Sequence, residues 1–176
     1  MSKKALFMSL AAALVAAFAL VSLHAVDDAT PAPGQAAPAF TLPSQDGTPI
    51  SLSQYKGKWV VLYFYPRDMT PGCTIEAHKF QDSQSQFEAK NAVILGVSVD
   101  SSDSHKQFCA KDGLTFHLLS DTSHSVVSAY GSLGSFGSAV IANRNTFLID
   151  PQGNIKQVWV KVNPAEAASE VLAAIP

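Results

Sequence analysis

The chain is expected to adopt an α/β fold, a central mixed β-sheet flanked by helices with an N-terminal β-hairpin. Two features point there. Apolar runs at 59–65 (WVVLYFY) and 92–99 (AVILGVSV) have the length and composition of strands covered on both faces. Such strands alternate with helical patterns, and the chain closes as strand, turn, strand and helix, the order of a sheet with helices packed on it.

The elements follow in order. Residues 1–25 carry Lys3 and Lys4 ahead of a segment from Ala5 to Leu23 that is apolar apart from Ser9 and Ser22, with Leu23-His24-Ala25 as a candidate cleavage site. This is the pattern of a signal peptide, so export to a bacterial periplasm is expected; an uncleaved anchor is the alternative, since about 18 apolar residues just span a bilayer. No cysteine follows the run, which excludes a lipoprotein anchor. Residues 26–38 (VDDATPAPGQAAP) read as a linker, and 39–176 as one domain. Residues 39–42 and 50–52 flank Asp46-Gly47 as a hairpin, and 53–58 form a short helical turn closed by Gly57. A helix runs from Cys73 toward Lys90 with Ile75, Ala77, Phe80, Phe87 and Ala89 on one face. A second helix spans 101–112, ended by Gly113. A short strand at Leu118-Leu119 precedes a turn and a helix up to Tyr130, and 131–139 (GSLGSFGSA) read as a flexible loop. Strands at 146–149 and 155–162 flank the turn Asp150-Pro151-Gln152-Gly153-Asn154, and 164–175 form a final helix with Pro164 in its first turn.

Composition narrows the function. With 47% hydrophobic and 15% charged residues the chain is no disordered protein. A net charge of −2, more acidic once Lys3 and Lys4 are removed, offers no basic patch for nucleic acid. The five histidines show no metal-ligand spacing and read as solvated helix or turn residues. No phosphate loop or G-x-S-x-G elbow is present.

The most informative stretch is 65–76, YPRDMTPGCTIE. Cys73 falls where a strand-to-loop turn hands over to the first turn of a helix. Free backbone N–H groups and the positive end of the helix dipole there favour a thiolate over a thiol. Pro71 pre-sets φ, and Gly72 lets the backbone come close to a substrate. Cys73 is thus a candidate nucleophile. The form T-P-G-C-T-x-E within P-x-x-x-T-P-G-C-T-x-E resembles the peroxidatic motif of the peroxiredoxins, in the bacterioferritin comigratory protein (PrxQ) branch. Residues 144–150 (RNTFLID) resemble the strand that brings that family's arginine to its cysteine. The similarity covers roughly Ala36 to Val162.

The resemblance implies a thioredoxin-like fold and a thiol peroxidase acting on hydrogen peroxide or organic hydroperoxides without metal or organic cofactor. Cys73 attacks the peroxide and becomes a sulfenic acid. Thr70 supplies a hydroxyl in the same turn, Arg144 a fixed cation for thiolate and polarised peroxide, and Pro66 one wall of the pocket. Bland readings stand beside these: Thr70 as a turn residue or cap, Arg144 as a surface residue on an edge strand. Glu76 is read either as part of a capping box or as a partner of Arg144. Many members of the branch carry a second cysteine five positions after the first; here that position is His78. Cys109, on the following helix, resembles the alternative arrangement and is read as the resolving thiol, or else as a buried structural cysteine. A Cys73–Cys109 disulfide, reduced by a thioredoxin-like dithiol protein, then closes the cycle, in a monomer or weak homodimer. The competing readings are a one-cysteine peroxidase, a thiol–disulfide oxidoreductase, which the missing C-x-x-C disfavours, and a domain stapled by the two cysteines.

Overall fold

The computed structural model describes residues 30–176. The expected leader, its cleavage site and residues 26–29 lie outside the described residues. In chain order the elements are β1 (Thr41–Pro43), β2 (Pro49–Ser51), a 3-10 turn (Leu52–Tyr55), β3 (Trp59–Phe64), α1 (Pro71–Asp82), α2 (Gln84–Ala89), β4 (Ala92–Ser98), α3 (Ser102–Asp112), β5 (His117–Ser120) and α4 (Ser125–Ala129). Then come β6 (Leu133–Phe136), β7 (Ala139–Ala142), β8 (Asn145–Ile149), β9 (Ile155–Val160) and α5 (Ala167–Ala174).

The main sheet has the order β5-β4-β3-β8-β9, with β3 parallel to β4 and antiparallel to β8. Strand alternation sorts β3 onto two cores, as a period of two requires. Val61, Tyr63 and Tyr65 pack with Phe80 of α1, Phe87 of α2, Phe108 of α3 and Val171 of α5. Val60, Leu62 and Phe64 pack on the other face with Phe40, Ile50, Val127, Tyr130 and Phe147. Gly96 lies opposite Tyr63, and a Cβ there would sit 2.8 Å from the Tyr63 ring, so the glycine lets this large aromatic residue into the sheet face.

The topology collects chemistry at one end of the sheet. The chain leaves the C-terminal end of β3 toward Cys73, and leaves β4, which is parallel to it, toward α3. Strand β8 runs the other way, with Asn145 opposite Phe64, so Arg144 arrives at that same end.

Four expectations change. The long helix divides at Ser83 (φ −95°, ψ 0°) into α1 and α2, at a residue type that competes poorly for helical backbone. Residues 131–139 are not a flexible loop: β6 and β7 pair as an antiparallel hairpin around Gly137 at φ 60°. Its glycine-serine composition hid the strands. A Cβ at Gly134 would lie 2.4 Å from the Asn143 side chain, which bonds to the Leu133 carbonyl and would have to shift. The last helix begins at Ala167 rather than at Pro164, because Asn163 accepts from the Glu166 and Ala167 N–H groups and holds a turn ahead of it. The described part of the presumed linker is bound to the domain: Gly34 N–H donates to Ile155 O, Ala37 N–H donates to Gly153 O, and Tyr130 donates to Pro38 O.

Candidate active site

Thr70 is the N-cap residue of α1, Pro71 opens the helix, and Cys73 is its third residue, 1% exposed. The first helical positions have no intrahelical acceptor for their N–H groups, so the thiol lies beside free donors and the positive helix end. The Thr70 hydroxyl makes no cap; it donates to Arg67 O at 2.9 Å, which leaves its oxygen able to accept. Arg144 Nη2 donates to Cys73 Sγ at 3.3 Å, and Arg144 Nη1 pairs with Glu76 Oε2. Of the two readings of Glu76, the structure has the bond to Arg144. The Arg144 carbonyl accepts from Val162 N–H at 3.0 Å, which fixes its backbone.

Gly72 belongs to this arrangement. A Cβ there would lie 3.3 Å from Arg144 Nη2, tighter than ordinary contact, so glycine clears the path of the guanidinium. Pro66 and Thr70 line an apolar cleft of about 370 Å³ whose other walls are Arg67 and the hairpin residues Phe136, Ala139 and Ile141.

Electrostatics tie the three central groups together. Burial pushes Glu76 up to about 7, against the opposing pull of Arg144. Burial also works against the Arg144 charge, but Glu76 and Cys73 outweigh it and hold that group above its ordinary value. A folded-state value raised above the unfolded one means that Glu76 contributes stability in its neutral form. That contribution is complete below the ordinary carboxyl value near 4.5 and is lost as pH rises through about 7. Glu76→Gln is therefore expected to flatten the pH dependence of unfolding free energy between about pH 4.5 and 7, by up to roughly 3 kcal/mol. Urea titrations of the reduced protein and the variant across that range check this; parallel curves would contradict it.

Cys109 lies on α3, half-buried, and both cysteines are free thiols. Burial first, then Asp68 and Asp46, push its thiol up to about 11, so in this conformation it is a poor nucleophile. The position of the missing second cysteine, His78, pairs with Asp112 at 3.2 Å. Among the described residues no cluster of His, Cys, Asp and Glu could hold a metal ion, and no helix is long and apolar enough to cross a membrane.

Two histidines depart from the solvated helix or turn positions expected of them: His117 stands half-buried in strand β5, and His105 departs further. His105 is not solvated: it is 0% exposed, with Nδ1 2.8 Å from Asp68 Oδ2. The signal lay in its spacing, three residues before the buried Phe108 and four before Cys109 on one helical face.

The family model described as AhpC/TSA family matches residues 33–158. The Peroxiredoxin Bcp of Bacillus subtilis (strain 168) is 44% identical over 143 residues, 79% of this chain and 91% of that protein. The chain belongs to the peroxiredoxins. Among further relatives of this peroxiredoxin, the Putative peroxiredoxin bcp of Coxiella burnetii is 46% identical over 79% of this chain and 95% of its own. A crystal structure of Peroxidoxin BcpB from Mycobacterium tuberculosis superposes with a TM-score of 0.77 at 32% identity, covering 82% of this chain and 96% of that one. A Xanthomonas campestris Peroxiredoxin Q structure gives 0.73 at 40% identity, covering 77% and 89%. The fold is thioredoxin-like, and the enzyme is a thiol peroxidase of the Bcp/PrxQ kind.

Proposed function

We propose that Cys73 is the peroxidatic thiolate, that Thr70 and Arg144 hold the peroxide, and that Cys109 resolves the oxidised enzyme. The observation that carries this is Arg144 Nη2 at 3.3 Å from Cys73 Sγ, in the first turn of α1. A cation so held stabilises the attacking sulfur, and its remaining donors can meet the developing charge on the leaving oxygen. The Thr70 oxygen can accept from the peroxide hydroxyl while its own O–H donates to Arg67 O. Pro66 lines the same apolar cleft as Thr70 and gives the peroxide site an apolar wall.

The sulfur attacks one peroxide oxygen, the O–O bond breaks, and the other oxygen departs as water or an alcohol. Cys73 is left as sulfenic acid. Cys109 then displaces that hydroxyl as water, forming Cys73–Cys109, and a thioredoxin-like dithiol protein returns both thiols by exchange. Hydrogen peroxide needs only the polar groups, and the apolar cleft supports organic hydroperoxides as well. Xanthomonas campestris Bacterioferritin Comigratory Protein, described for alkyl peroxide reduction activity, is 38% identical over 77% of this chain. The apolar segment behind Lys3 and Lys4 supports export, where the reductant is an exported dithiol protein.

Cys109→Ser tests the resolving step. Wild-type protein given one equivalent of peroxide is expected to lose both thiols into a bond within one chain. The variant is expected to reduce one equivalent, then stall as sulfenic acid and over-oxidise readily. Multi-turnover activity of Cys109→Ser equal to wild type with a dithiol reductant would make this a one-cysteine peroxidase.

A further inference from the structure

A second buried polar cluster lies outside the Cys73–Arg144–Glu76 group. Asp68, two residues after Pro66 and two before Thr70, is 6% exposed. Its Oδ2 accepts from the Ser104 hydroxyl at 2.6 Å and faces His105 Nδ1 at 2.8 Å, and its Oδ1 accepts from the Tyr65 hydroxyl at 2.7 Å. Its backbone N–H donates to Asp100 Oδ2 at 2.9 Å, and that oxygen also accepts from Ser98 Oγ at 2.8 Å. Burial alone would raise Asp68, but the bonds from His105, Ser104 and Tyr65 hold it below the usual carboxylate range.

The cluster joins two elements of particular interest. Asp68 belongs to the loop that leads into Cys73, whereas Ser104 and His105 lie in the early turns of α3, which carries Cys109. Met69, next to Asp68, holds φ 57°, a conformation that needs support from its surroundings. His105 is also costly as a core residue. It is fully buried beside the Tyr65 ring, with centroids 6.2 Å apart, and its Nε2 has no hydrogen-bond partner. Packing alone would be met by an apolar side chain, without that unpaired nitrogen. What the imidazole adds is its bond to Asp68 at 2.8 Å, with the Tyr65 hydroxyl a longer contact of the same Nδ1 at 3.3 Å.

We propose that His105, acting through Asp68, is a positioning residue that latches the 66–70 loop to α3 and so sets how fast Cys109 reaches oxidised Cys73. The inference rests on the reading of Cys109 as the resolving thiol. In the step concerned, the Cys109 sulfur attacks the Cys73 sulfenic acid, the S–S bond forms and the S–O bond breaks. The hydroxyl leaves as water with the Cys109 proton, and no outside oxidant or reductant takes part. Cys73 is buried against Arg144 and Cys109 stands on another helix, so the first turn of α1, the start of α3 or both must open first. With the latch gone, Asp68 gains more by reaching water, and opening becomes easier.

The test measures the two chemical steps separately by quenching with dimedone and alkylating reagents after mixing with peroxide. His105→Leu is expected to raise the peroxide-independent rate of disulfide formation roughly tenfold or more, the scale of losing a bond to a buried charge. It is expected to reduce sulfinic acid formed at high peroxide, with the rate of sulfenic acid formation changed less than about threefold. His105→Asn, whose amide nitrogen can stand where Nδ1 does, is expected to restore the wild-type resolution rate. If His105→Leu does not fold, Ser104→Ala, which removes one bond to Asp68, is expected to shift resolution in the same direction by a smaller factor. A wild-type disulfide whose rate is unchanged or slower in the foldable variant would overturn the latch alone, as would equal rates in the Leu and Asn variants. Absence of a Cys73–Cys109 bond in the wild type would overturn the resolving-thiol reading and the latch with it.

Discussion

Cys73→Ser is expected to abolish peroxide consumption while the protein stays folded. Serine keeps the shape of the side chain to within one atom, and Arg144 remains to pair with its hydroxyl in the 1% exposed site. What disappears is the nucleophile, because a serine hydroxyl is almost never ionised near neutral pH and no histidine base contacts Cys73 among the described interactions. Steady-state turnover with a dithiol reductant, beside a thermal melt, checks both halves. Turnover near the wild-type level would remove Cys73 from the chemistry altogether.

Arg144→Ala is expected to slow the reaction with peroxide by roughly a hundredfold or more, the scale of losing one donor aimed at transition-state charge. The loss has two parts. The cation at 3.3 Å from the sulfur is gone, and Glu76, which is 0% exposed, is left in the core without its partner. Burial then acts on Glu76 unopposed, and its carboxyl is expected to take up a proton more readily than in the wild type. Arg144→Lys is expected to recover only part of the rate, since an ammonium cannot bridge Cys73 and Glu76 as the guanidinium fork does. Rapid mixing with peroxide over a range of concentrations gives the second-order rate for each variant. An unchanged rate in Arg144→Ala would show that the guanidinium contact has no part in the attack.

The strands at 59–64 and 92–98, the hairpin at 41–51 and the placement of Cys73 at a helix start were legible because each rests on a local pattern: an apolar run, an Asp-Gly turn, or a proline at the first helical position. The β6–β7 hairpin was not legible, because its residues are mostly exposed and its strands carry no clear buried alternation. The pairing of Glu76 with Arg144 is one of the two readings open in the sequence; the choice between them depends on the antiparallel register of β3 and β8, which spacing along the chain does not contain. Gly72 was assigned to close approach of a substrate, whereas the nearest group is Arg144 itself. His105 was hidden for a related reason: histidine on a helix of low overall hydropathy reads as solvated until Asp68 is brought over from the other element.

The central claim is that the first atom oxidised is the Cys73 sulfur. The most direct measurement is the location of the sulfenic acid formed by one equivalent of peroxide in reduced Cys109→Ser protein, trapped with dimedone and mapped by peptide mass. A single adduct is expected on the peptide containing Cys73, at close to one per chain. A peroxide consumed without any adduct or higher oxide at Cys73 would contradict it.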